Sequence, residues 1–220
     1  MKPSAADVVA QLKRLARPEN LPGMARYGMN PEGRLGLSVP EMRLIAKQAG
    51  KDHRLALDLW KSGIAEARMV ASMVDDPGRV TPAQMDRWVR DFNAWDVCDQ
   101  VCGNLFDKTP HAWTKARQWA KRKEEYVKRG AFALMACLAW HDKKAPDSAF
   151  VAFFPSIRRG AADERNFVKK AVSWALRNIG KRNPRLRRAA LAEARALRKA
   201  DSPAMRWVGA EAERELARKG

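Results

Sequence analysis

The sequence predicts an all-α protein: a right-handed α-solenoid of about six helix pairs, folded as a single domain over residues 1–220, with a basic concave face. Three observations predict it. Ala, Leu, Arg, Lys and Glu dominate long stretches, while Val, Ile, Thr and Tyr are sparse outside short apolar clusters, so the propensity balance is helical and no strand stands out. Helix breakers recur at intervals that suit short helices. One helical stretch repeats another at an offset of 41 residues.

In chain order the breakers are Pro18, Pro22, Pro31, Pro40, Gly50, Gly63, Pro77, Pro82, Pro110, Pro146, Pro155, Pro184 and Pro203. They divide the chain into about a dozen helices joined by short turns. Thr81-Pro82 and Ser202-Pro203 each read as a capping residue followed by Pro at the first helical position, where its missing N–H costs nothing.

Val127-Lys128-Arg129-Gly130-Ala131-Phe132-Ala133-Leu134 can be laid on Val168-Lys169-Lys170-Ala171-Val172-Ser173-Trp174-Ala175. Ala67–Val74 and Leu186–Leu191 echo the same order more weakly. A period near 40 with two helices per unit falls in the range of HEAT and armadillo repeats, whose helix pairs bury their faces by stacking. A compact helical bundle is the alternative, since small residues also serve ordinary core packing.

The chain carries 43 Lys plus Arg against 25 Asp plus Glu, a formal net charge of +18. Such an excess suits a polyanion, because each cation that neutralises a phosphate releases condensed counterions. Nucleic acid leads and anionic membrane is the alternative. No apolar run has the length of a signal peptide or a membrane span, so the expected location is the cytoplasm, with no membrane partner. Cys98, Cys102 and Cys137 read as reduced thiols in a helical core. His53, His111 and His141 share no ligand spacing, so neither a metal nor another cofactor is expected. No Ser-His-Asp order, phosphate loop or dinucleotide turn is present.

Basic residues crowd residues 181–199, Arg187 and Arg188 among them, and pairs recur at Lys128-Arg129, Arg158-Arg159 and Lys169-Lys170. On stacked repeats they would form a stripe that tracks a phosphate backbone; as isolated residues they would be solvated helix faces. No base-reading motif accompanies them.

Trp60, Trp88, Trp113, Trp119, Trp140 and Trp207 lie in apolar periodic runs and read as core. Trp95 follows a loop-like segment and Trp174 lies one turn after a basic pair, so either could fill the core or flank a binding surface. Trp95 and Asp99, at i and i+4, share a helix face. Asp96 is explained by its place in a first helical turn, where backbone donors and the macrodipole favour an acid. Asp99 lies a turn further in; it is either a salt-bridge partner for Arg129 or a group that stabilises positive charge on a substrate.

Ala25-Arg26-Tyr27, Trp95-Asp96-Val97-Cys98-Asp99, Val127–Ala131 and Lys170–Arg177 stand in the order and approximate spacing seen in the AlkD-like DNA alkylation repair glycosylases, and the chain resembles that family from about residue 20 to residue 215. The resemblance implies a HEAT-like repeat fold and removal of N3- and N7-alkylated purines from double-stranded DNA by a cofactor-free monomer, without base flipping. It implies that Asp99 is the catalytic carboxylate and that Trp95 and Trp174 pack against the lesion's deoxyribose. It places Arg129 at the DNA, with Lys128, Lys169, Lys170, Arg177, Arg187 and Arg188 holding phosphates. Phe92-Asn93-Ala94 stands where some relatives carry a second Trp. The competing function is a non-catalytic HEAT-repeat protein that binds damaged or branched DNA, and a protein scaffold ranks third.

Overall fold

The computed structural model describes residues 2–218. Among them it contains fourteen α-helices, two short 3-10 helices and no strand, somewhat more helices than the breaker spacing suggested. The chain divides into two compact units, residues 1–110 and 111–220.

The first unit comprises α1 (Ala5–Arg14), α2 (Leu21–Arg26), α3 (Val39–Ala49), α4 (His53–Lys61), α5 (Ala65–Val74), α6 (Pro82–Arg90) and α7 (Trp95–Asn104). Its core runs through α5, which packs on α3, α4 and α7 and buries Ala67, Met69, Val70, Ala71 and Val74. Trp60 of α4 stacks on Trp88 of α6 with ring centroids 3.9 Å apart. Thr81 caps α6 as expected, its hydroxyl accepting from Gln84 N at 3.1 Å.

The second unit comprises α8 (Ala112–Trp119), α9 (Glu125–His141), α10 (Asp147–Val151), α11 (Phe154–Ala161), α12 (Asn166–Gly180), α13 (Pro184–Arg198) and α14 (Pro203–Ala217). Helices α8 and α9, α11 and α12, and α13 and α14 form successive pairs, and the second helix of each pair packs on the next: α9 on α12, α12 on α14. The 41-residue offset therefore has a structural meaning: it carries α9 onto α12, equivalent helices of adjacent repeats. The echo at Leu186–Leu191 falls on α13, the first helix of its pair, so that weaker match joins inequivalent helices.

Small residues set the spacing of these pairs. A Cβ on Gly209 of α14 would stand 2.5 Å from Ala194 O and 2.7 Å from Arg198 N, so the backbones of α13 and α14 meet at a distance only glycine permits. Helix α9 is buried almost all round from Arg129 to Ala139, as befits an element with neighbours on several sides. All three cysteines are buried and none is in a disulfide, as expected.

The tryptophans split. Trp60, Trp88 and Trp119 are core, and Trp113 and Trp207 are half-buried. Trp140 is not core: it is 61 % exposed on the last turn of α9, where Lys143 Nζ lies 5.4 Å from its ring centroid. The apolar run of α9 ends one residue earlier, at Ala139, and periodicity alone does not register that limit. No helix among the described residues is long and apolar enough to cross a membrane.

Candidate active-site carboxylate and nucleic-acid interface

The N-terminus of α7 is built by side chains from far along the chain. Ala94, its N-cap, is extended and offers no side-chain cap. Instead the Arg34 guanidinium donates to both oxygens of Asp96, at 2.6 and 2.9 Å, and through Nε to Asn30 O at 3.0 Å. Arg34 is almost wholly buried, so this two-pronged pair fixes the start of α7 against the loop between α2 and α3. Asp96 thus has a specific partner as well as the favourable field of a helix N-terminus.

That loop is itself held from below. Glu66 of α5 is fully buried, and its two oxygens accept from Leu35 N at 3.0 Å and Gly36 N at 2.9 Å. Two backbone donors satisfy a carboxylate that would otherwise be costly in the core. Gly36 (φ +85°) leaves no room for a side chain, since a Cβ there would lie 2.2 Å from Arg17 O. The loop then presents Tyr27 O to Trp95, whose indole N–H donates to it at 2.9 Å. Trp95 is consequently half-buried and fixed at its polar edge, neither core nor a free surface ring.

The buried face of α7 is Val97, Cys98, Val101 and Cys102. Asp99 lies off that face, half-buried, one turn beyond Trp95 and on its side of the helix. Asp99 and the anchored indole thus share one side of α7.

In the second unit the predicted basic residues fall into distinct environments. Arg129, on α9, is 5 % exposed and donates through Nη1 to Phe167 O at 2.6 Å. Lys128 pairs with Asp163 at 2.9 Å, and Arg165 grips the same carboxylate at 2.6 Å. Hydrogen bonding from Arg165 and then from Lys128, against an opposing burial cost, drives the Asp163 pKa far below the usual carboxylate range. Arg177 and Lys181 both pair with Glu215, whose pKa they lower despite the opposing cost of burial. Lys169 Nζ lies 5.4 Å from the Trp207 ring centroid. Lys170 and Arg188 are exposed, Arg187 and Trp174 half-buried. Arg34 and Glu66 were not among the sequence candidates; their partners lie 62 and about 30 residues away, and no local spacing signals them.

The model of the DNA alkylation repair enzyme family matches residues 8–214, nearly the whole chain. The chain belongs to the DNA alkylation repair enzyme family. This member shares its fold with a solved protein described as one of a new family related to the HEAT-like repeat DNA glycosylases with affinity for branched DNA structures: the TM-score is 0.77 at 18% identity, over 96% of this chain and 95% of that one. An engineered protein is similar with a TM-score of 0.43 at 11% identity, over 84% of this chain and 87% of that one, too distant to carry an argument. No curated protein matches the chain. Family membership and fold support a role in DNA repair and DNA binding, and the all-helical HEAT-like architecture expected from the sequence stands.

Proposed function

We propose that this protein is a monofunctional DNA glycosylase that hydrolyses the N-glycosidic bond of cationic N3- and N7-alkylpurines in double-stranded DNA. The observation that carries the reading is the start of α7, where Arg34 takes Asp96 and Tyr27 O takes the Trp95 indole, so that Asp99 and an oriented aromatic ring share one helix face.

An alkylpurine of this kind already bears a positive charge. When the bond from C1′ to the base nitrogen breaks, its electron pair moves onto the purine and neutralises it, so no general acid is needed. Positive charge grows instead on C1′ and the ring oxygen of the sugar. The Asp99 carboxylate offsets that charge and orients a water, whose oxygen bonds to C1′ while its proton passes to the carboxylate and then to solvent. Trp95 offers its π face to the cationic sugar, and Trp174 on α12 is the second aromatic residue this reading assigns to it. The products are an abasic site and a neutral alkylpurine. A lesion that leaves this readily can be hydrolysed without flipping, which avoids an unstacking cost of a few kcal/mol. Lys128, Arg129, Lys169, Lys170, Arg177, Arg187 and Arg188 are assigned to the DNA, and the protein acts as a cytoplasmic monomer.

The test is release of 7-methylguanine or 3-methyladenine from methylated duplex DNA by the purified protein, compared with Asp99→Asn. Release by wild type with loss in the variant supports the reading, and release no faster than the spontaneous rate sinks it. A second reading, a non-catalytic binder of branched DNA, is favoured by the solved relative described as having affinity for such structures. Tighter binding to a four-way junction than to duplex, without base release, would select it.

A further inference from the structure

We propose that Arg43, Lys47, Lys51 and Lys108 form a phosphate subsite in the first unit, holding the sugar–phosphate backbone of duplex DNA at the end of α7 opposite Trp95. The inference rests on the DNA-binding reading above and places part of the grip outside the strongly basic half of the chain. Arg43, Ala46, Lys47, Gly50, Lys51, Met73 and Asn104 line an open hollow of about 320 Å³ between the C-terminal ends of α3, α5 and α7. Its small floor, Ala46 and Gly50, lets a ligand approach the backbone, while three cations stand on its rim.

Four cations meet at this end of the first unit. Arg43 and Lys47 are i and i+4 on α3, a like-charge spacing that weakens an isolated helix by a few tenths of a kcal/mol. Both are exposed, and among the described residues no carboxylate lies within ion-pair distance of either, as is true of several other surface cations of this unit. Lys51 and Lys108 are held in place by helix-end carbonyls. Lys51 donates to Met73 O at 2.9 Å and Asp75 O at 2.8 Å, and Lys108 to Asn104 O at 2.6 Å. Helix C-termini explain why cations sit there, but not why they crowd. Burial, and then repulsion from Lys108, push the Lys51 pKa down against the opposing pull of Asp75 and Asp76, and a bound anion would offset the repulsion.

The spacing fits a duplex. Helix α7 has ten residues, so its two ends stand about 14 Å apart at 1.5 Å per residue, comparable to the major-groove width of about 12 Å. A lesion at the Trp95 end would leave the backbone across a groove near the hollow. A free phosphate would meet the same cations singly, whereas a duplex engages them together and makes the contact strongly salt-dependent.

The test is the salt dependence of binding of a fluorescent 25-bp duplex to the full-length protein, wild type against Arg43→Gln/Lys47→Gln. Each phosphate contact contributes about 0.9 to the slope of log K against log salt, so the double variant is expected to lower the slope by about two. Circular dichroism monitors folding; if the double variant unfolds, Lys108→Gln is expected to lower the slope by about one. An unchanged slope, while Lys169→Gln/Lys170→Gln lowers it, overturns the subsite and leaves the DNA reading standing. Absence of salt-dependent duplex binding by wild type overturns both.

Discussion

The first unit carries 16 Lys plus Arg against 14 Asp plus Glu, a net +2, and the second carries 27 against 11, a net +16. Nearly the whole charge excess therefore belongs to one half of a chain whose two halves are built from the same kind of helix. The halves also use charge differently. In the first unit, Arg34–Asp96 and the Glu66 carboxylate act internally and fix the start of α7. In the second, bases outnumber acids so far that Lys170 and Arg188 remain at the surface even after Asp163 and Glu215 have each taken two partners. The two units divide the labour. A polyanion is held best where many cations are left over, as in the second unit.

The division breaks most directly at Asp99. Asp99→Asn is expected to lower base release by about 10³-fold, the scale of losing one electrostatic contact made in the transition state, with duplex affinity within a few-fold of wild type. Single-turnover release and a binding isotherm measure the two. If affinity collapses together with activity, Asp99 belongs to the frame of the first unit and the comparison fails. Next in size is the frame itself. Arg34→Ala leaves Asp96 partly buried without its partner and is expected to cost about 3 kcal/mol in urea unfolding, with part of the loss recovered in Arg34→Ala/Asp96→Ala. A cost under ~1 kcal/mol would mean that the start of α7 is held by something other than this pair.

Much of the second unit was legible in the sequence, and the reason is local. The match between Val127–Leu134 and Val168–Ala175 records helices that meet the same kind of neighbour, so the same small and apolar residues recur at the same offset. Caps at Thr81 and Ser202 are likewise local, each a hydroxyl three residues from the N–H it serves. The frame around Trp95 was not legible, because Arg34 and Asp96 are 62 residues apart and Tyr27 contributes only a backbone carbonyl, which any residue could supply. Trp140 misled for a related reason: exposure at a helix end depends on where the neighbouring helix stops, and the apolar period does not encode it.

Smaller effects are expected in the second unit. Gly209→Ala forces α13 and α14 apart and is expected to cost about 2 kcal/mol, read as a lower melting temperature. The result shows how closely the basic helices are packed, and an unchanged melting temperature would mean that they shift freely. Lys169→Gln/Lys170→Gln is expected to reduce the salt slope of duplex binding by up to two while leaving unfolding within about 0.5 kcal/mol of wild type.

The smallest expected effect concerns Asp163, one of the few acids of the second unit. Its pKa lies below the ordinary 3.8, chiefly through Arg165 and then Lys128. A carboxylate depressed in the folded state adds stability above its unfolded pKa and loses it as pH falls through the folded one. Asp163→Asn should therefore be less stable than wild type by about 1 kcal/mol near neutral pH, with the gap closing between about pH 5 and pH 2. Urea midpoints of both proteins across that range measure it. A gap that stays constant with pH would mean that Asp163 acts through packing and hydrogen-bond geometry alone. A gap that closes would show that even the unit with the large positive excess uses its few carboxylates to organise cations, which is what lets the remaining bases stay at the surface.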